Sequence, residues 1–481
     1  MNILAFASIK EIKEKLAKKE ISQEEVLTYF LDRFAKHDQS IESALEIFDK
    51  QSIVESSSKD GFLAGIPGII KDNILQKDRK VTCASKILKG FKATYDATVT
   101  DRLKKQGALI VGRANCDEFA MGSSGETSAY KKSKNPWDLE RVPGGSSSGS
   151  AAAVAAGLVP WSLGSETGGS IRLPAAFCNL VGIKPTYGRV SRYGLVAYGS
   201  SLDQVGAFTR TVYDNALVMS AIAGHDVKDS SSRTVPNTDY TANLTGKLKS
   251  GLTIGVIENA LYAPGMDPEI AAAIDTAIKE YEKLGATIKK ISLPTVEYGA
   301  ATYFIISRAE AASNLARFDG VRYGLRADVD NLNEMYLKTR HDGFGSEVKA
   351  RIIVGNYVLS ASHAGQYYQK ANMVRAMIRS EFLNAFKSVD VLLMPTHSIP
   401  PFKFGSFEVD KLAMDLQDNF TCTANLAHIP ALSIPCGFTK DKLPIGLQLI
   451  GPDFSEELLY QTAYAYEQIT PWHTYKPDNL D

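Results

Sequence analysis

Three short segments of this chain hold residue types that could cleave an amide or ester without a histidine. The first, Gly144-Gly145-Ser146-Ser147-Ser148-Gly149-Ser150, runs straight into an apolar stretch at 151–156. A Gly/Ser linker is the plain reading of such a composition. The apolar stretch argues instead for a helix that starts at once and is capped by Gly157. Glycines and serines at a helix start expose N–H groups at its positive end, where an anion or a developing oxyanion is stabilised. The second segment, Gly164-Ser165-Glu166-Thr167-Gly168-Gly169-Ser170, follows an apolar run at 159–163. Two glycines before a serine let the backbone aim its amides at an oxyanion, each donor being worth roughly 3 kcal/mol. A tight turn into residues 171–177 is the alternative. The third segment, Gly65-Ile66-Pro67-Gly68-Ile69-Ile70-Lys71-Asp72-Asn73, places a lysine after two isoleucines. Taken alone, Lys71 reads as a surface lysine paired with Asp72. Drawn into an apolar setting it would lose its charge; a fall from about 10.4 to about 7.5 costs roughly 4 kcal/mol.

A decoy lies in the first segment. Gly145-Ser146-Ser147-Ser148-Gly149 has the G-x-S-x-G form of a nucleophile elbow, which needs a buried strand before it and an acid and histidine after it. Here the preceding residues, 138–143, are polar and end in Pro143, and His225, His341, His363, His397, His428 and His473 stand in no telling pattern. A Ser-His-Asp site is therefore disfavoured.

Composition narrows the function classes. The 481 residues carry 54 Lys+Arg and 54 Asp+Glu, a net charge of zero, so nucleic acid would be met by a local patch or through another subunit. At 44 % hydrophobic and 22 % charged residues, the balance is that of a soluble globular protein. Cys83, Cys116, Cys178, Cys422 and Cys436 form no C-x-x-C, which disfavours a disulfide framework or zinc ribbon and favours a reducing compartment. The expected location is the cytoplasm, with an organelle interior as the alternative. Residues 1–8 read as neither a secretory signal nor a transit peptide, and no apolar run is long enough to span a bilayer. No metal is expected, since there is no metal-ligand cluster, and no phosphate-binding G-x-x-x-x-G-K-[ST] loop is present.

The elements that must hold these segments alternate. Amphipathic helices are predicted over 9–36, with Ser22 as an N-cap and Glu25 three residues on. Strand-like runs follow at 108–112, 158–163, 252–257, 389–394, 431–435 and 445–450. Helical patterns cover 267–284, 308–318, 363–386 and 455–469. This alternation predicts an α/β fold in one large domain. Only 52–60 and 226–249 read as loop-rich.

Together and in this order the three segments resemble the signature of the amidase signature family. Lys71 lies 75 residues before Ser146 and Ser146 lies 24 before Ser170, spacings similar to that family's. The resemblance implies a central mixed β-sheet flanked by helices on both faces. Within one domain over 1–481 it implies N-terminal helices over about 1–60, a catalytic core over about 61–225 and a helical insertion over about 295–385. It assigns Ser170 as nucleophile, Ser146 as bridging serine behind a cis peptide bond, and Lys71 as base. The amides of Thr167, Gly168, Gly169 and Ser170 become the oxyanion hole. Ser148 and Glu166 depart from the family, which usually has glycine and aspartate there.

Further stretches resemble the glutamine-hydrolysing branch of that family: Asp117-Glu118-Phe119-Ala120-Met121-Gly122-Ser123, Lys184-Pro185-Thr186-Tyr187-Gly188-Arg189-Val190-Ser191-Arg192, Arg317-Phe318-Asp319-Gly320-Val321-Arg322-Tyr323-Gly324, and residues 135–138 and 344–351. The branch implies glutamine as amide donor, with Arg351 on its α-carboxylate, Asp418 on its α-ammonium and Tyr303 in the pocket wall. It implies no cofactor in this chain. ATP and Mg2+ are expected at a partner B subunit that takes the ammonia to amidate Glu-tRNA(Gln), with a small C subunit holding both. A free-standing small-amide amidase and a catalytically silent assembly subunit are the alternatives.

Overall fold

The computed structural model describes residues 4–416, 418–478 and 480. Its strands are β1 (Ala44–Ile47), β2 (Pro67–Lys71), β3 (Leu109–Ala114), β4 (Trp161–Glu166), β5 (Val181–Lys184), β6 (Gln204–Thr209), β7 (Thr253–Ile257), β8 (Thr287–Ile291), β9 (Val391–Pro395), β10 (Ala431–Phe438) and β11 (Pro444–Ile450). They form one mixed sheet in the order β1-β3-β2-β4-β6-β5-β10-β11-β9-β7-β8. The α/β fold and central mixed sheet read from the sequence are present.

β3, β2 and β4 run parallel to one another. Every residue of β2 is buried, as a parallel strand covered on both faces requires. Ligands of open α/β sheets bind beyond the carboxyl ends of the strands. Lys71 ends β2 and Thr167 to Ser170 follow β4, so two of the three candidate segments emerge at the carboxyl ends of adjacent parallel strands.

The helix Ser148–Ala155 packs against β2, β3, β4 and β6 and is buried on all sides. Small side chains permit this: a β-carbon on Gly149 would overlap the Ser43 carbonyl and press on Asn115. A second group of helices gathers residues far apart in sequence. Helix Gly299–Asn314 packs against Ser346–Leu359, Lys370–Ala385 and Asn419–Leu426.

Helices Ile9–Ala17 and Gln23–Ile41 appear as expected, the second with the Ser22/Glu25 capping box formed. Residues 52–60, read as loop-rich, instead begin inside a short helix, Lys50–Glu55, which Asp49 caps by accepting from the Ser52 N–H. No helix among the described residues is long and apolar enough to cross a membrane.

Candidate active site

The surface reading of Lys71 is overturned. Its side chain is wholly buried, and Asp72 pairs with Arg113. Lys71 Nζ donates to Ser146 Oγ at 2.7 Å, Ser147 Oγ at 3.0 Å and the Ser165 carbonyl at 3.2 Å. Burial pulls its pKa down to about 8, against the opposing pull of Cys116, Asp117 and Asp203. A neutral amine has two protons and one lone pair, so one of its three partners must donate to it. Ser147 already spends its proton on the Ser165 carbonyl at 3.0 Å. Ser146 is left as the hydroxyl whose proton can pass to Lys71.

The turn that carries Ser146 is held from behind. The Gly145–Ser146 peptide is cis. The Gly145 N–H donates to the Ser123 carbonyl at 2.9 Å, and the Asp117 N–H to the Ser146 carbonyl at 3.0 Å. The Asp117 carboxylate in turn accepts from the Gly125 N–H, the Thr127 N–H and Thr127 Oγ1, at 2.8 to 3.0 Å. Burial nonetheless raises its pKa to about 6. Ser148 Oγ, at a position where the family resemblance implies glycine, is buried without a partner among the described residues.

The loop after β4 presents its backbone. Among the described residues, the N–H groups of Thr167, Gly168, Gly169 and Ser170 donate to nothing, whereas those of Ile171 and Arg172 both donate to Glu166 Oε2 at 3.0 Å. Glu166 forms a fully buried ion pair with Arg172 at 2.5 Å, and Arg172 also donates to Gln448, Asn425 and the Thr421 carbonyl. The longer glutamate thus reaches both the loop amides and the guanidinium, so the departure at 166 leaves the turn braced. Thr167 Oγ1 donates to Asp203 at 2.8 Å. Ser170 lies beside the Ser146 turn through its carbonyl, which accepts from the Ser147 N–H at 3.3 Å. It retains 6 % exposure where Lys71 and Ser146 have none, which sets it at the solvent-facing end of the three.

The helical group brings the expected substrate residues to the same loop. A β-carbon on Gly168 would lie 2.5 Å from Tyr303 Cζ, and one on Gly169 would lie 2.3 Å from Thr421 Oγ1 and 3.0 Å from Asp418 Oδ1. Glycine is therefore demanded at both positions by the residues packed on them. Asp418 precedes the helix Asn419–Leu426 but does not cap it with its side chain; Oδ2 accepts from Ser123 Oγ at 2.8 Å. Arg351 donates to Glu347 at 2.7 Å and to Tyr198 Oη at 2.6 Å. Burial, then proximity to Tyr198 and Asp418, raises the Tyr303 hydroxyl well above its usual value. A cavity of about 630 Å³ opens here, with Ser123, Glu347 and Arg351 in its wall.

Sequence reasoning passed over Ser123, Tyr198 and Glu347 as parts of this site. Glu347 was legible as the i,i+4 partner of Arg351 on one helix. Ser123 and Tyr198 carry no local signal, because only tertiary packing brings them in. Histidine takes no such place: His428 stacks on Tyr187 and His363 lies against Tyr357. No group of three His, Cys, Asp or Glu among the described residues could hold a metal ion.

The site thus brings together a buried lysine, two serine hydroxyls and a loop of free amides beside the carboxyl ends of β2 and β4. The chain belongs to the amidase family, whose model it matches over residues 25–460. It is 51 % identical over 481 residues to the glutamyl-tRNA(Gln) amidotransferase A subunit of Cyanothece sp. (strain PCC 7425 / ATCC 29141), covering 98 % of this chain and 99 % of that one. The crystal structure of the glutamyl-tRNA(Gln) amidotransferase A subunit from Thermotoga maritima superposes with a TM-score of 0.84 at 40 % identity, over 97 % of this chain and 96 % of that one. A 6-aminohexanoate cyclic dimer hydrolase superposes with a TM-score of 0.88 at 25 % identity, over 99 % of each chain.

Proposed function

We propose that this chain is the glutamine-hydrolysing subunit of a Glu-tRNA(Gln) amidotransferase. The observation that carries the reading is Lys71, wholly buried, depressed to about 8 and 2.7 Å from Ser146, next to a loop with four unengaged N–H groups. Serine is a weak nucleophile at its own pKa and needs such a base.

The steps follow from that arrangement. Ser170 Oγ attacks the glutamine carboxamide carbon as its proton passes to Ser146, whose own proton passes to the Lys71 lone pair. The oxyanion is received by the N–H groups of Thr167, Gly168, Gly169 and Ser170. The relay reverses, the nitrogen is protonated, the C–N bond breaks and ammonia leaves. Water then cleaves the acyl-Ser170 ester to glutamate, using the same relay. Arg351 holds the substrate α-carboxylate through a planar fork, Asp418 accepts from the α-ammonium, and Tyr303 closes the wall over Gly168.

This chain needs no cofactor for those steps. The ammonia serves a B subunit that activates the glutamyl group of Glu-tRNA(Gln) with ATP and Mg2+, and a C subunit holds the two together in the cytoplasm. The tRNA is met through the B subunit, consistent with a net charge of zero here. The likeness to the cyclic dimer hydrolase favours a second reading, a free-standing amidase. Such an enzyme has no use for a cation and an anion set apart for an amino acid, so Arg351 and Asp418 weigh against it.

The test is ammonia release from glutamine by the chain purified with its B and C subunits, with and without Glu-tRNA and ATP, and with Ser170→Ala as control. Release that rises with both and vanishes in the variant supports the reading. Release indifferent to tRNA, with simple amides also cleaved, would replace it by the free-standing amidase.

A further inference from the structure

A cavity of about 720 Å³ shares no lining residue with the one beside Arg351. Its lining residues take no part in the chemistry above. Arg317, Phe318, Arg322 and Tyr323 form one wall, and Gly194 and Leu195, just past Arg192, form another. It continues into a cavity of about 340 Å³, which shares Gly194, Leu195 and Arg317 and adds Arg192 and Lys228 beside Asp203 and Asp229.

The charge of the larger cavity is one-sided. Lys89, Lys92, Arg317 and Arg322 line it and no carboxylate does. All four are exposed. Lys89, Lys92 and Arg322 form no ion pair with a described residue, and Arg317 donates to the Asn314 carbonyl at 2.7 Å. In a chain of zero net charge, such a cluster is a local positive field. The floor between the cations is apolar, with Leu75, Leu88 and Leu195, and Val321 beside Arg322 is 50 % exposed.

We propose that this cavity docks an acidic segment bearing apolar side chains, supplied by another subunit of the complex; the proposal rests on the subunit reading given above. Carboxylates of the segment meet the four cations, and its apolar side chains cover the leucine floor. A strand of RNA satisfies the first demand and not the second. The cavity's rings are engaged with other rings: Tyr323 meets Phe91 and Phe318 at centroid distances of 5.6 and 5.7 Å, and Tyr95, 40 % exposed, lies against Tyr193 at 5.0 Å.

The cavity wall is tied to the amide site. Asn314 Nδ2 donates to the Tyr198 carbonyl at 3.0 Å, and Tyr198 Oη accepts from Arg351. The Val196 N–H donates to the Asn73 carbonyl, and Asn73 donates to Ser165 Oγ, whose own carbonyl accepts from Lys71. A docked segment therefore bears on the supports of both the substrate arginine and the lysine.

The test uses the assembled complex with its B and C subunits. A zero-length carbodiimide joins an amine to a carboxylate already in ion-pair contact, and mass spectrometry should find Lys89 or Lys92 joined to Asp or Glu of a partner subunit. Amide exchange over residues 88–96 and 317–324 should slow in the complex relative to the isolated chain. The double variant Lys92→Glu/Arg322→Glu should bind its partners at least tenfold more weakly, with an unchanged melting temperature. Absence of cross-links together with unchanged exchange overturns the proposal, as does slowed exchange that requires tRNA rather than the subunits. If the wild-type chain neither assembles with B and C nor releases ammonia, the subunit reading itself falls. If it does both while the double variant assembles normally, the docking proposal alone falls.

Discussion

Among the described residues two lysines are buried, Lys71 at the end of β2 and Lys184 at the end of β5. Burial lowers both, to about 8 and about 7. Their surroundings differ. Lys71 faces two hydroxyls, one of which has a proton to give. Lys184 donates to the carbonyl of its own neighbour, Pro185, at 2.8 Å, and the charges that act on it come from Arg172, Glu166 and Glu456. A depressed amine is thus not by itself a base; it needs a partner through which a proton can travel. Lys184 stands behind the Glu166–Arg172 pair that braces the nucleophile loop, so its place is structural.

The largest effects should separate the two lysines outright. Ser170→Ala should reduce glutamine-dependent ammonia release by about 10⁴-fold or more, while the complex still amidates tRNA from added ammonium salts. Lys71→Arg should be nearly as damaging, because a guanidinium stays protonated and cannot take the serine proton. Lys184→Met should leave kcat within a few-fold of the wild type. A near-normal rate for Lys71→Arg, or an inactive but folded Lys184→Met, would reverse the roles drawn from their partners.

Substrate anchoring comes next. Arg351→Lys keeps the charge and loses the fork, so KM for glutamine should rise about tenfold to a hundredfold with kcat little changed, a cost of roughly 1.5–3 kcal/mol. Steady-state kinetics of the complex would show this, and an effect confined to kcat would place Arg351 away from the α-carboxylate.

The pH dependence sharpens the comparison further. In the proposed relay the free amine of Lys71 is the active form, so kcat/KM should climb with pH and level off above about 8. At pH 7 about a tenth of the chains hold it neutral. Stability should climb too, for both lysines. Each binds its proton more weakly folded than unfolded, so the unfolded chain holds more protons between the depressed folded value and about 10.4, and stability rises across that window. Lys71→Met should remove the activity rise and its own share of the stability rise, and Lys184→Met only its share of the second, as read by urea unfolding at pH 7 and pH 9.

The smallest expected effect concerns Ser148. Its buried hydroxyl has no partner among the described residues, so Ser148→Ala should stabilise the chain by about 1 kcal/mol without altering kcat. Loss of activity would mean that this hydroxyl takes part in the neighbouring relay.

How much of this could be read beforehand depends on where the signal resides. The Gly/Ser segments and their helix were legible because composition changes sharply there. Long amphipathic helices such as Pro268–Lys283 were legible from their period. β2 escaped notice as a strand, although it ends in Lys71, because so short an apolar run has no period of its own. The short strands Ala44–Ile47 and Val181–Lys184 were missed for the same reason. Residues alone could not choose between a surface and a buried Lys71. That depends on Arg113, 42 positions on, drawing Asp72 away through the β2–β3 pairing. The convergence of Tyr303, Arg351 and Asp418 is likewise a product of helix packing, and only resemblance to a family pointed to it.

The position of β10 and β11 in the sheet has a consequence for how the chain is made. These strands come late in the sequence yet sit between β5 and β9. Until residues 431–450 have left the ribosome, the sheet exists as two pieces, each with an open edge of unpaired backbone where the late hairpin belongs. Open edges of this kind pair readily with other chains. Gln448, which accepts from Arg172 beneath the nucleophile loop, arrives with that hairpin. A nascent chain that already carries Lys71, Ser146 and Ser170 therefore keeps open sheet edges through the last stretch of translation, and the loop from Thr167 to Ser170 gains its Gln448 brace only when the hairpin closes the sheet.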